Sequence, residues 1–136
     1  MSAKFRIADE VERTPREWGE VALLCHPQST GAKQLTVVQA IITPSQGHGF
    51  HKHPDQEEVI YVLIGEVEQW LDRDKRILRP GDSVFIPAGM VHASFNAGKH
   101  HATILAVFGP SAGEGGIEAV EVADQAPWNG LRVASS

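Results

Sequence analysis

Cysteine is nearly missing from this sequence: Cys25 is the only one in 136 residues. An intrachain disulfide framework and a thiolate zinc site are therefore both excluded. Positive charge is scarce too. Lys and Arg number 12 against 17 Asp and Glu, for a net charge of −5. That argues against a general grip on nucleic acid or on an anionic membrane, because both need a basic face. No apolar run approaches the length of a bilayer crossing; the longest unbroken one is Val59 to Ile64. The opening MSAKFRIADEVERTPREWGE has no signal-peptide stretch and carries acids that a transit peptide avoids, so a cytoplasmic location is expected. The length suits a single domain.

What is abundant is punctuation. Thirteen glycines and eight prolines fall at short intervals along the whole chain. Between them lie runs rich in Val, Ile, Leu and Phe, at 21–26, 34–43, 57–64, 66–72, 76–79, 83–87, 91–96 and 102–108. Strand-like segments separated by turn chemistry predict an all-β sandwich or closed sheet. No segment keeps an amphipathic helical spacing over several turns. The one helix expected is short, around 10–18, where Thr14-Pro15 offers a cap and a start. Residues 111–116 read as a flexible stretch and 117–122 as a last edge strand.

Candidate chemistry is concentrated in two stretches. In GHGFHKHPDQEEVIYVLIG (47–65), His51 and His53 stand two apart, so on a strand they share a face and can grip one ion together. Glu58 opens the apolar strand that follows. A carboxylate buried there without a partner would neutralise, and a metal ion supplies the partner. The second stretch, GDSVFIPAGMVHASFN (81–96), runs strand, turn and strand, with His92 leaving the turn.

Together these stretches resemble the paired signature motifs of the cupin superfamily. Gly81, Pro87, Gly89, His92 and Asn96 match the second motif completely. His51, His53, Glu58 and Gly65 match the first, but Ser45 stands where that motif opens with glycine. The resemblance covers about 34–109 and implies a single jelly-roll β-barrel of two antiparallel sheets. The expected organisation is one domain over 1–136, with a core at about 20–109, an N-terminal extension at 1–19 and an edge strand and tail at 111–136. The resemblance also implies one divalent transition metal ion, Fe, Mn, Ni, Co, Cu or Zn, held by His51, His53, Glu58 and His92. Three neutral imidazoles and one carboxylate suit that range of ions.

Strand alternation sketches the rest of the site. With Glu58 inward, Ile60, Val62 and Ile64 follow; with His92 inward, so do Met90, Ser94 and Asn96; Gln69 goes in with Val67 and Leu71. Ile60, Val62, Gln69, Met90, Ser94 and Asn96 are the expected substrate contacts, in a mostly apolar cavity with no inward Lys or Arg. Glu57, Tyr61 and Lys52 point out, and His48, an odd number of residues from His51, reads as a solvated loop residue, with a place at the pocket mouth as the alternative. A small organic ligand with a metal-binding oxygen fits such a cavity. The expected function is a metal-dependent, dioxygenase-type oxidoreductase. A non-redox isomerase, epimerase or lyase on the same site, or a binding module without turnover, are the alternatives, and no catalytic residue beyond the ligands is assigned. Partners are a small molecule and a second copy in a homodimer, the latter because the early strands and 117–122 offer free edges.

Overall fold

The computed structural model describes residues 3–132. Its strands are β1 (Thr14–Arg16), β2 (Gly19–Cys25), β3 (Thr36–Ile42), β4 (Gly47–Lys52), β5 (Glu57–Ile64), β6 (Val67–Leu71), β7 (Asp74–Leu78), β8 (Ser83–Ile86), β9 (His92–Asn96), β10 (Ala102–Gly109) and β11 (Val120–Glu121). They form a six-stranded sheet in the order β1-β2-β3-β10-β5-β8 and a five-stranded sheet in the order β11-β4-β9-β6-β7. The named pairings are all antiparallel. The sheets face one another without closing into a continuous barrel. No described helix is long and apolar enough to cross a membrane.

Alternation puts the core between the sheets. On β3, Thr36, Val38, Ala40 and Ile42 are buried while their neighbours are half-buried. On β5, Glu58, Ile60 and Val62 turn in, and Glu57, Val59 and Tyr61 turn out. Val67, Ile86, Ile104 and Phe108 complete the contact between the sheets. Each such side chain contributes roughly 1.5–3 kcal/mol on burial. The alternation stops at Ile64, expected inward but 59% exposed. The register between β5 and β10 shifts at Thr103/Ile104, so the end of β5 no longer follows the parity of its start.

Three expectations are corrected. Residues 10–18 form no helix; a turn leads into a β1–β2 hairpin instead. Pro15 is tolerated there because β1 is an edge strand, where a missing N–H breaks no inner ladder. The one α-helix among the described residues is the single turn α1 (Pro27–Thr30), stopped by Gly31 at φ 78. The edge strand expected over 117–122 shrinks to β11, and its two residues pair with Lys52 and His51 of β4.

The stretch 111–116, flexible by composition, is tied down. Ala112 bridges Gly116, Thr36 Oγ1 donates to the Gly116 carbonyl, and Gln56 Nε2 donates to the carbonyls of Pro110 and Gly116. The C-terminal segment then crosses the outer face of the smaller sheet. There Val122, Trp128 and Leu131 pack on a second cluster of Phe50, Trp70, Val91 and Ala93. That sheet is therefore apolar on both faces.

Candidate metal centre

Four side chains reach one point between the sheets from three neighbouring segments. β4 carries His51, the turn after it His53, β5 Glu58 and β9 His92, and all four are at most 5% exposed. The pairing of His51 with His92 across β4 and β9 puts the two imidazoles side by side, with ring centroids 4.3 Å apart. His53 is held by its own backbone, whose carbonyl accepts from Gly89 N at 2.8 Å.

Each imidazole is oriented by its Nδ1. That atom lies 2.6 Å from the Gly49 carbonyl in His51, 2.9 Å from the Glu118 carbonyl in His53 and 3.0 Å from the Met90 carbonyl in His92. A carbonyl only accepts, so Nδ1–H is the donor in each ring, and Nε2 is the atom turned toward the centre. The ligand-capable nitrogens of the three rings lie within 4.8 Å of one another and could hold a metal ion. Glu58 Oε1 stands 3.4 Å from His53 Nε2 and 3.0 Å from His92 Nε2. Those three atoms are shut off from solvent and have no hydrogen-bond partner. An unpaired buried polar atom costs about 1–3 kcal/mol, and a shared cation satisfies all three at once.

Burial pushes His51 well below its ordinary pKa, and neighbouring His48 and His92 push the same way. For Glu58 burial alone acts upward, but the facing His53 and His92 outweigh it and the carboxyl ends lowered. For His53 burial acts downward, and the Glu58 carboxylate outweighs it, so the net direction is up.

The histidines line a cavity of about 430 Å³. Its walls are apolar, with Val38, Ala40, Ile42, Ile60, Ile104 and Phe108 among them. Ile60 and Ser94 line it. Val62, Met90 and Asn96 do not. Val62 is wholly enclosed in the core and Met90 packs against it from the turn before β9. Asn96 Nδ2 is consumed by the carbonyls of Ile42 and His100. Gln69 sits behind Ser94, whose Oγ donates to it at 2.6 Å, and lines a different hollow beside Asp74 and Asp82.

Sequence reasoning missed Trp18 and Arg16 and kept His48 only as an alternative; all three also line the cavity. His48 stacks on His51 at 3.7 Å with ring planes 8° apart, and its Nε2 faces Glu121 Oε1 at 3.3 Å. A β-bulge explains the miss: three steps on β4, from His48 to His51, pair with two on β9, from Ser94 to His92. The extra residue restores His48 to the cavity side and sends Phe50 to the outer cluster. Arg16, exposed on β1, lines the cavity where no arginine was expected. It was hidden because its segment reads as a helix rather than a hairpin. His100 and His101 are exposed, as expected.

The family model of the Cupin domain matches residues 38–108. The chain belongs to the cupin family. Protein SchB of Streptomyces halstedii is 32% identical over 110 residues, covering 81% of this chain and 80% of that protein. Polyketide synthase CurC of Streptomyces cyaneus is 31% identical over 109 residues, covering 79% of this chain and 71% of that protein. Among solved structures, KdgF from Halomonas sp. superposes with a TM-score of 0.72 at 22% identity, covering 80% of this chain and 96% of that one. At that identity the likeness concerns the fold.

Proposed function

We propose that this cupin is a metal-dependent, dioxygenase-type oxidoreductase acting on a small, largely apolar, oxygenated organic molecule. His51, His53, His92 and Glu58 hold one divalent transition metal ion. The observation that carries the reading is the convergence of buried, unpartnered Nε2 and Oε1 atoms in the lining of an apolar cavity. Once bound, such an ion supplies Lewis acidity toward a substrate oxygen and, if redox-active, electrons for oxygen chemistry.

The chain's own residues do the rest. The Gly49, Glu118 and Met90 carbonyls fix each imidazole in the tautomer that presents Nε2. Ile60, Ile104 and Phe108 exclude water and accept an apolar body. Phe108 meets the His53 ring edge-on at 4.9 Å and blocks sideways movement of that ligand. Oxidation is favoured over isomerase or lyase chemistry because no Tyr, Lys, Cys or Asp side chain is among the lining residues. A non-redox enzyme working by proton transfer has few groups there beyond the metal ligands and His48. CurC carries the name of a polyketide synthase protein, and polyketide-derived phenols and enols suit a cavity of this lining.

The test is elemental analysis of the purified chain, followed by oxygen uptake with a panel of polyketide-derived phenols and enols. The expected result is close to one transition metal ion per chain and oxygen consumption that needs both metal and substrate. Substrate turnover without oxygen consumption would replace the oxidative reading with the non-redox one.

A further inference from the structure

The cavity has a second polar feature, at its exposed rim. Arg16, on β1, is the only Arg or Lys lining the space, and Glu58 is the only acid. Glu58 faces His53 and His92. Arg16 has no carboxylate within ion-pair distance among the described residues; its one hydrogen bond there goes to the Pro15 carbonyl next to it, at 3.3 Å. Arg13 on the same approach is paired with Glu20. An unpaired guanidinium beside an apolar chamber is a ready-made seat for one anion.

The rim that carries it is fixed in place. The β1–β2 hairpin turns through Glu17 and Trp18, with Arg16 paired to Gly19. Trp18 O accepts from both Thr43 N and Thr43 Oγ1, at 3.0 and 3.2 Å. Gly19 has φ 154, and a Cβ there would collide with Ile41 O, so the hairpin is pressed against β3. Trp18 also stacks on His48 at 5.7 Å with planes 14° apart, and His48 in turn stacks on His51. One wall is therefore a run of near-parallel rings leading from the rim to the histidines, a surface that favours a flat ligand.

From this arrangement we infer the ligand class: a planar, apolar-bodied molecule with a single anionic group seated on Arg16 and an oxygen at its far end directed toward His51, His53 and His92. The inference rests on the proposed metal centre for the position of that far end. No other Arg or Lys among the described residues lines the cavity, so its side chains seat one anionic group.

The test uses the zinc-loaded full chain, so that no redox turnover intervenes. Two fluorescent probes are titrated: a hydroxynaphthoate with its hydroxyl and carboxylate at opposite ends of the ring system, and its neutral carboxamide. Arg16 is exposed and bonds only to its neighbour's carbonyl, so Arg16→Gln leaves folding intact. This variant is expected to weaken the naphthoate about tenfold, or about 1.4 kcal/mol, and to leave the carboxamide within about twofold. Arg16→Lys restores part of the preference for the anion, and added salt weakens the naphthoate more than the carboxamide. Equal losses for both probes, an unchanged naphthoate affinity, or no binding of either probe to the wild-type chain at millimolar concentration would overturn the inference. Metal content measured on the same samples separates the two readings. A chain that takes up no zinc yet still discriminates the probes through Arg16 loses the metal centre and keeps the anion seat.

Discussion

Glu57 and Glu58 are neighbours with opposite surroundings. Glu58 is 4% exposed and faces two imidazoles, while Glu57 lies on the solvent side of β5. Glu58→Gln keeps the shape and removes the only anionic donor, so metal affinity should fall at least tenfold, or about 1.4 kcal/mol. Glu57→Gln should leave it within about twofold, because a solvated charge is worth tenths of a kcal/mol. Competition with a fluorescent chelator measures both, and loss of metal by the Glu57 variant alone would reject the proposed ligand set. The three histidines also differ in protonation. His51, held well below the ordinary 6.5, is already neutral near that pH. His53, raised above 6.5 by Glu58, still carries its proton in the metal-free chain there. Metal binding at about pH 6.5 should therefore release a proton from His53 and none from His51, and affinity should rise as pH climbs through the raised value. Calorimetry in buffers of different ionisation enthalpy reads that proton; a zero count would show His53 neutral. That His51, His53, Glu58 and His92 converge was legible from the paired motifs, although His53 lies in the turn after β4 rather than on the strand. His48 was not, because a bulge is invisible to parity.

At the scale of elements, the hydrophobic runs located the strands around the core, and the errors gathered where the chain is short and polar. Thr14-Pro15 reads equally well as a helix start and as an edge strand, and only the pairing with β2 decides between them. Ser45, in place of the motif's opening glycine, takes φ 70 all the same, so the turn into β4 survives the substitution. Gln56 gave no signal in sequence, although it organises the far side of the site. It is 2% exposed, donates to the Pro110 and Gly116 carbonyls and accepts from Glu118 N. Glu118 is the residue whose carbonyl orients His53. Gln56→Leu should therefore loosen the 110–118 segment and lower metal affinity about tenfold without removing a ligand. Chelator competition measures the affinity. Far-UV circular dichroism of the same sample should remain that of the wild type. An unchanged affinity would show that the carbonyl holds its place without Gln56.

Across the whole molecule, the site sits inside the core rather than on it. Ile60 and Phe108 belong both to the contact between the sheets and to the cavity wall, so holding the ligands and holding the sheets together are one arrangement. In the absence of a cation, His53 Nε2, His92 Nε2 and Glu58 Oε1 are unpartnered polar atoms in the middle of that core. An ion that binds the folded chain and not the unfolded one adds about 2.7 kcal/mol of stability at a hundred times its dissociation constant and about 4.1 kcal/mol at a thousand times. For a domain of this size, each kcal/mol moves the melting temperature by about 4 °C. Chelation followed by dialysis should therefore lower the melting temperature by about 10–16 °C, and returning the metal should restore it. The shift should also grow with the logarithm of free metal, by about 1.4 kcal/mol per tenfold, which separates binding at one tight site from weak association over an acidic surface. Glu58→Gln should shorten the shift and Glu57→Gln should not. If none of Fe, Mn, Ni, Co, Cu or Zn moves the transition of the chelated wild-type chain, the buried histidines and Glu58 are a structural network and the proposed metal centre is wrong.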